Sequence, residues 1–105
     1  MNEIILVYIT TPNEAEAKKI ASSLVQEKLA ACANILPQVS SVFYWNGKLQ
    51  QKDESLLLLK TRQDKFLALQ QRAKELHSYE LPCIVGLPVS AGLPEFLSWV
   101  KQEVS

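Results

Sequence analysis

The pattern of apolar and polar residues divides the chain into strand-like and helix-like segments. The first segment, Ile4 to Ile9, is continuously apolar and rich in β-branched residues, which is typical of a central strand buried on both faces. Thr11-Pro12-Asn13 then marks a helix start, with Thr11 or Asn13 as the cap. Apolar residues spaced three and four apart predict that this helix ends near Lys28.

The longest patterned segment runs from Leu29 to Thr61 and contains Asn46-Gly47 near its centre. Asn-Gly between two strand-like runs predicts a type I′ turn, because both central residues need a positive φ. We therefore expect one long antiparallel hairpin. Its first arm would reach ~40 Å, whereas a compact chain of this size has a radius of gyration of ~13 Å, so the tip should project. Pro37 cannot donate to a ladder and predicts a bulge or kink that splits this arm into two strands.

The outer part of the first arm is apolar on both sides. Strand alternation places Phe43 and Trp45 on one face and Val42 and Tyr44 on the other, while the returning arm is mostly polar. A projecting ribbon of this kind is typical of a chain that binds another copy, so we expect a symmetric homo-oligomer. The alternative is that the C-terminal helix of the same chain covers the ribbon.

The segment after the turn reads as strand and then helix. Leu56 to Leu59 is interpreted as strand because the turn fixes its partner. The next apolar spacing predicts a helix that is capped by Gln63 or Asp64 and ends near His77.

The last third of the chain adds a strand and a helix. Cys83 to Val89 predicts a fourth strand, and Pro88 places its far end on a sheet edge. Pro94-Glu95 opens a last helix. The order βαββαβ plus a C-terminal helix predicts a single α+β domain over residues 1–105, a ferredoxin-like sandwich with two helices on one face of an antiparallel sheet. The bare face must be covered by the third helix or by a neighbouring chain.

Composition narrows the function classes. Eleven Lys and Arg balance eleven Asp and Glu, which argues against binding to nucleic acid or to a membrane surface. No apolar segment approaches the ~20 residues of a membrane span, and Glu3 rather than a basic residue precedes the first apolar run, so we expect a cytoplasmic protein. Cys32 and Cys83 should then be reduced thiols, although a single disulfide stays possible.

Three residues are candidate metal ligands. His77, the only histidine, binds a metal in one interpretation and serves the C-terminus of the second helix in the other, which we favour. Thiolates from Cys32 and Cys83 suit copper(I) or zinc, but free cysteines are also common core residues, and we favour that interpretation for both.

Other side chains are candidates for a ligand cleft. Lys60 follows four leucines, so its ammonium either points into a cleft, where it would bind an anion, or reaches solvent. Glu54 reads as a solvated edge-strand residue. Trp45 and Trp99 could stack a ligand, although subunit packing is the commoner use. No nucleophile with a base and no Gly-rich phosphate loop is visible, so no enzyme is expected.

Several motifs together resemble the CutA divalent-cation-tolerance family. They are TTPNEAEAKKIA, LAACANILP, SSVFYWNGKL, ESLLLLKT, HSYELP and LSWV, in this order along nearly the whole chain. The resemblance implies a ferredoxin-like subunit in a tight homotrimer, with an architecture shared with the PII signalling proteins. By matching position, the family's motif residues are Cys32, Trp45, Glu54, Lys60, His77, Tyr79 and Trp99.

The resemblance also carries the functional expectations. The family usually reads HPYE followed by PE, whereas Ser78 and Cys83 stand at the proline and the glutamate here. The first expectation is a non-enzymatic homotrimer that binds copper or another divalent ion weakly, with His77, Cys32 and Cys83 as candidate ligands. The alternative is a PII-like regulatory module that holds a small anionic ligand in an intersubunit cleft, lined by Trp45, Glu54, Lys60, Tyr79 and Trp99. An RNA-binding domain shares the βαββαβ order, but the neutral charge argues against it.

Overall fold

The computed structural model describes residues 3–104 and confirms the predicted α+β order. One antiparallel sheet has the strand order β2-β3-β1-β4, so β1 is central and β4, which carries Pro88, lies on an edge, both as predicted. No helix in the described residues is long and apolar enough to cross a membrane. The strands are β1 (Ile4–Thr11), β2 (Cys32–Trp45), β3 (Lys48–Arg62) and β4 (Ile84–Pro88), and the helices are α1 (Glu14–Gln26), α2 (Phe66–Leu76) and α3 (Pro94–Glu103).

The helix starts are specified locally. Asn13 caps α1, because its side-chain oxygen accepts a hydrogen bond from the backbone N–H of Glu16 at 2.8 Å. The predicted cap of α2 was wrong: Gln63 and Asp64 lie in a 3₁₀ turn before the helix, and no side chain caps α2. The Asp64 carboxylate instead accepts from Arg62 Nε at 2.9 Å, and this bond lowers its pKa.

The projecting hairpin is confirmed. Asn46 and Gly47 have φ values of 53° and 76°, as a type I′ turn requires, and the molecule measures 44 × 25 × 22 Å. Pro37 marks a bulge, as predicted, but β2 continues through it as one strand rather than two. Pro37 and Gln38 lie opposite Ser55 alone, and the Ser55 hydroxyl donates to the Pro37 carbonyl at 2.6 Å.

The two faces of the sheet differ in cover. On the covered face, α1 and α2 pack on the side chains of Val7, Ile9, Leu57 and Leu59, which are fully buried. The other face, called the open face below, is apolar but partly exposed. Strand pairing gives it Leu6, Tyr8, Leu56, Leu58, Val85 and Leu87.

Helix α3 covers only one end of the open face. Its Val100, together with Val104, packs against Ile4 and Ala31. The helix therefore does not cover the outer ribbon, where Tyr44 is 73% exposed. The apolar surface left by one chain supports an oligomer, which stays a prediction.

Candidate functional site

A notch opens where the hairpin leaves the body of the protein. The last pair between β1 and β3 is Thr11 with Ser55, so beyond it the hairpin has no β1 strand beside it. The segment 78–83, which leads into β4, approaches the hairpin here. Between them lies a cavity of about 780 Å³, called the notch below. Its lining includes Tyr8, Thr10, Phe43, Trp45, Glu54 and Tyr79.

Glu54 is the buried charge of the notch. Only 6% of the residue is exposed, and its Oε2 accepts a hydrogen bond from the Tyr79 hydroxyl at 2.6 Å. The expectation of a solvated edge residue was wrong, because β3 is an internal strand and the segment 78–83 takes the place of β1 beside Glu54. Burial of the phenol, followed by the hydrogen bond to Glu54, raises the pKa of Tyr79.

Lys52 completes this cluster. Its ammonium donates to the Tyr79 oxygen at 3.3 Å and lies 4.9 Å from the centre of the Tyr79 ring. The sequence interpretation missed Lys52, although the signal was present: it lies two residues before Glu54 on one strand, and such residues share a face.

His77 holds the segment 78–83 in place. It ends α2, its ring is buried, and its Nε2 lies 2.7 Å from the carbonyl oxygen of Thr10. Its Nδ1 accepts from the backbone N–H of Tyr79 at 3.1 Å, so these partners fit the neutral ring protonated on Nε2. Since both ring nitrogens are engaged, His77 could coordinate a metal only after losing one of these bonds.

Glu16 supports the same segment from α1. Its Oε2 accepts from the backbone N–H of Ser78 at 2.8 Å and lies 3.5 Å from Nδ1 of His77. The loop that forms one wall of the notch is therefore tied to both β1 and α1. His77 thus lies at the C-terminus of α2, as the structural interpretation expected, but its ring bonds β1 and the segment 78–83 rather than the last carbonyls of the helix, and its role as a metal ligand stays a prediction.

The two cysteines are free and far apart. Cys83 is exposed and lines the notch, so its predicted core position was wrong; β4 begins one residue later. Cys32 is half-buried at the start of β2. Because β2 and β4 are opposite edges of the sheet, three strand spacings separate them, about 14 Å, which excludes a disulfide within one chain.

Two other predicted cleft residues lie outside the notch. Lys60 pairs with Cys32 and donates to the side chain of Asn34. Lys60 lies twelve positions along β3 from Lys48, the partner of Trp45, which amounts to about 40 Å along the strand. Trp99 lies on α3, with its ring 5.7 Å from that of Phe96. One chain thus brings Trp45, Glu54, Tyr79 and Cys83 to a single cavity and leaves Lys60, Trp99 and Cys32 elsewhere.

Comparison with known proteins identifies the family to which this chain belongs. The family model described as "CutA1 divalent ion tolerance protein" matches residues 5–103. The chain belongs to the CutA1 family. It is similar to the divalent-cation tolerance protein CutA of Thermus thermophilus, with 44% identity over 97% of each chain. The structure of the periplasmic divalent cation tolerance protein CutA from Archaeoglobus fulgidus superposes with a TM-score of 0.94 at 41% identity, covering 97% of this chain and 99% of that one.

Plant relatives of the CutA1 family are longer. The chain is 45% identical to the chloroplastic protein CutA of Arabidopsis thaliana over 92% of its own length, but it spans only 53% of that protein. The same fold is seen in CutA1 from Oryza sativa, with a TM-score of 0.95 at 41% identity, covering 98% of this chain and 94% of that one.

Proposed function

We propose that this protein is a non-enzymatic homotrimer of the cytoplasm that binds copper or another divalent ion and acts in divalent-cation tolerance. Membership of the CutA1 family and the names of its relatives support the tolerance role. The observation that carries the metal part is the exposed thiol of Cys83, which lines the notch together with the carboxylate of Glu80. A thiolate suits copper(I) or zinc, and a carboxylate oxygen is an additional ligand that suits zinc.

The donors of one chain do not form a complete metal site. Among residues 3–104, no group of three or more His, Cys, Asp or Glu side chains could hold an ion. We therefore assign the ion to a site between two chains, in which Cys83 is one ligand and a second chain supplies the other donors. The apolar open face supports such an assembly, and the number of three chains comes from the resemblance to the CutA and PII architecture.

Titration with copper tests this proposal. Copper(I) under reducing conditions and copper(II) are titrated by calorimetry against a competing chelator, with the mass of the same sample measured by light scattering. We expect a mass of three chains and an affinity for copper(I) that falls at least tenfold in Cys83→Ser. Cys32→Ser is the matched control, because its thiol lies outside the notch. Equal affinities of the two variants would exclude Cys83 as the ligand.

His77→Ala separates the two interpretations of the histidine. If His77 only positions the segment 78–83, this variant loses stability without a direct loss of metal donors. If the metal stoichiometry falls while Cys83→Ser keeps it, the histidine is the ligand instead.

The size of the notch favours a second candidate function, a PII-like regulatory module that binds a small molecule. A volume of about 780 Å³ lies within the range of ~300–1,000 Å³ that is typical of small-molecule sites. The anion site expected around Lys60 has no support from this geometry, since Lys60 lies outside the notch. A metabolite panel in a thermal-shift assay tests the module: a ligand at one hundred times its Kd should add ~2.7 kcal/mol to the stability, and a silent panel would count against it.

A further inference from the structure

The Glu54 carboxylate is buried without a cationic partner. Its Oε2 accepts a hydrogen bond from the Tyr79 hydroxyl, and none of the residues that the structure describes forms an ion pair with it. Lys52 reaches the Tyr79 oxygen rather than the carboxylate. Because a buried carboxylate is costly unless a positive charge compensates it, Glu54 at the wall of an open cavity favours a cation in the notch.

Aromatic rings line the same cavity as this carboxylate. Tyr8, Phe43, Trp45 and Tyr79 all line the notch, and the faces of such rings attract ammonium groups. The Tyr79 ring already has the ammonium of Lys52 at 4.9 Å from its centre. The side chains of Phe43 and Trp45 are well exposed and offer apolar area to a ligand.

The net charge of the residues that line the notch is negative, like the charge of Glu54 itself. The ionisable side chains of the lining with a fixed charge at neutral pH are Lys52, Glu54 and Glu80, one positive and two negative. An anion would therefore meet net repulsion. A bare metal ion needs more donors than the single carboxylate of Glu54, and the ion proposed above is assigned to the thiol of Cys83 instead.

We propose that the notch binds a small organic ammonium compound, whose nitrogen pairs with Glu54 and whose apolar body extends along the hairpin toward Phe43 and Trp45. This site is independent of the metal proposal, which depends on the thiol of Cys83. Binding of the ammonium supplies the counter-charge that Glu54 lacks and shields the exposed rings from water. Lys52 remains on the Tyr79 ring and leaves Glu54 to the ligand.

Benzylamine is a suitable probe, because it is a protonated amine on an aromatic ring at pH 7. Calorimetry on the full chain should show one benzylammonium bound per chain, with an affinity that falls as salt increases. Benzyl alcohol, similar in shape but uncharged, should bind at least tenfold more weakly, and benzoate should not bind. Equal binding of the amine and the alcohol would overturn the proposal, since it would show apolar burial alone.

The matched variants are Glu54→Gln and Asp53→Asn. Asp53 is the adjacent acid, it is exposed, and alternation places it on the opposite face of β3. We expect Glu54→Gln to lower the affinity for benzylammonium at least tenfold and Asp53→Asn to leave it within a factor of two. Trp45→Ala should also weaken binding, without removing the preference for the charged probe.

Light scattering on the same variants examines another source of the cation. If no amine binds and Glu54→Gln also lowers the oligomer mass, the counter-charge is a lysine or arginine of a second copy, and the proposal is overturned. If Glu54→Gln loses amine binding at an unchanged mass, the site is confirmed. Copper binding through Cys83 is measured separately, so either proposal can fail without the other.

Discussion

The two faces of the sheet are made by the same strands but are covered differently. Leu57 and Leu59 of β3 are fully buried under α1 and α2, whereas Leu56 and Leu58, their immediate neighbours, lie half-buried on the open face. All four leucines read alike in the sequence. The run of leucines thus specifies a strand that is to be covered on both sides, but the chain itself covers one face fully and the other only at the end under α3.

A charge on the open face should have the largest effect on the assembly. Leu58→Asp places a carboxylate in the centre of the open face, opposite Tyr8, and burying it between copies would be very costly. We expect the mass measured by light scattering to fall to that of one chain. Leu67→Asp on the exposed surface of α2 is the control and should keep the assembly. An unchanged mass of Leu58→Asp would show that the open face is not the interface.

A cavity under the covered face should have the next largest effect. Leu59→Ala removes a fully buried side chain and should lower the free energy of unfolding by about 3 kcal/mol. Leu67→Ala, at a residue that is 75% exposed, should change it by less than ~0.5 kcal/mol. Denaturant unfolding followed by circular dichroism measures both. Similar losses in the two variants would contradict the assignment of the covered face.

A buried hydroxyl distinguishes the faces at a smaller scale. Thr61 is fully buried on the covered face, and its Oγ1 donates to the Leu29 carbonyl at 2.7 Å. Thr61→Val leaves that carbonyl without its donor and should cost about 1–2 kcal/mol. Thr10→Val is the equivalent change on the open face and should cost less than ~0.5 kcal/mol. The same unfolding assay compares the two variants. An equal loss in the free energy of unfolding would mean that both faces exclude water to the same degree.

The smallest expected effect is a change in titration at the edge of the open face. Burial and the Glu54 carboxylate raise the pKa of Tyr79 above its ordinary value of 10.0. The folded state therefore keeps this proton when the unfolded chain loses it, so the stability contribution is complete below pH 10 and is lost as the pH rises further. Phenolate absorbance of the folded protein should show a late component that is absent in Tyr79→Phe. In Glu54→Gln it should move to lower pH, and no movement would exclude the carboxylate as a cause.

The sequence predicted the parts of the fold that depend on local chemistry. Asn46-Gly47 predicted the turn because few residues accept its positive φ, and Pro37 predicted the bulge because it lacks an N–H. The missed cap of α2 has a local cause too: the Asp64 side chain bonds to Arg62 instead of the helix N-terminus. Local patterns therefore suffice where a single residue type has one good solution.

The candidate site was predicted less well because it depends on contacts between distant segments. Glu54 looks like any polar residue of a hairpin, and only the arrival of Tyr79 from 25 positions away buries it. Cys83 reads as the start of an apolar strand, yet the ladder begins at Ile84. The role of His77 as a helix terminus was the favoured interpretation because a helix C-terminus is a local feature.

The bulge at Pro37 and Gln38 has a consequence for how this hairpin changes length. Leu36 and Val39, three positions apart, pair with Leu56 and Glu54, which are two positions apart on β3. The bulge thus absorbs one extra residue while every side chain outside it keeps its face. A variant that deletes Gln38 restores a regular ladder without inverting the outer arm, whereas a single deletion elsewhere in β2 reverses it. Deleting Gln38 should therefore leave Phe43 and Trp45 on the face of the hairpin that lines the notch.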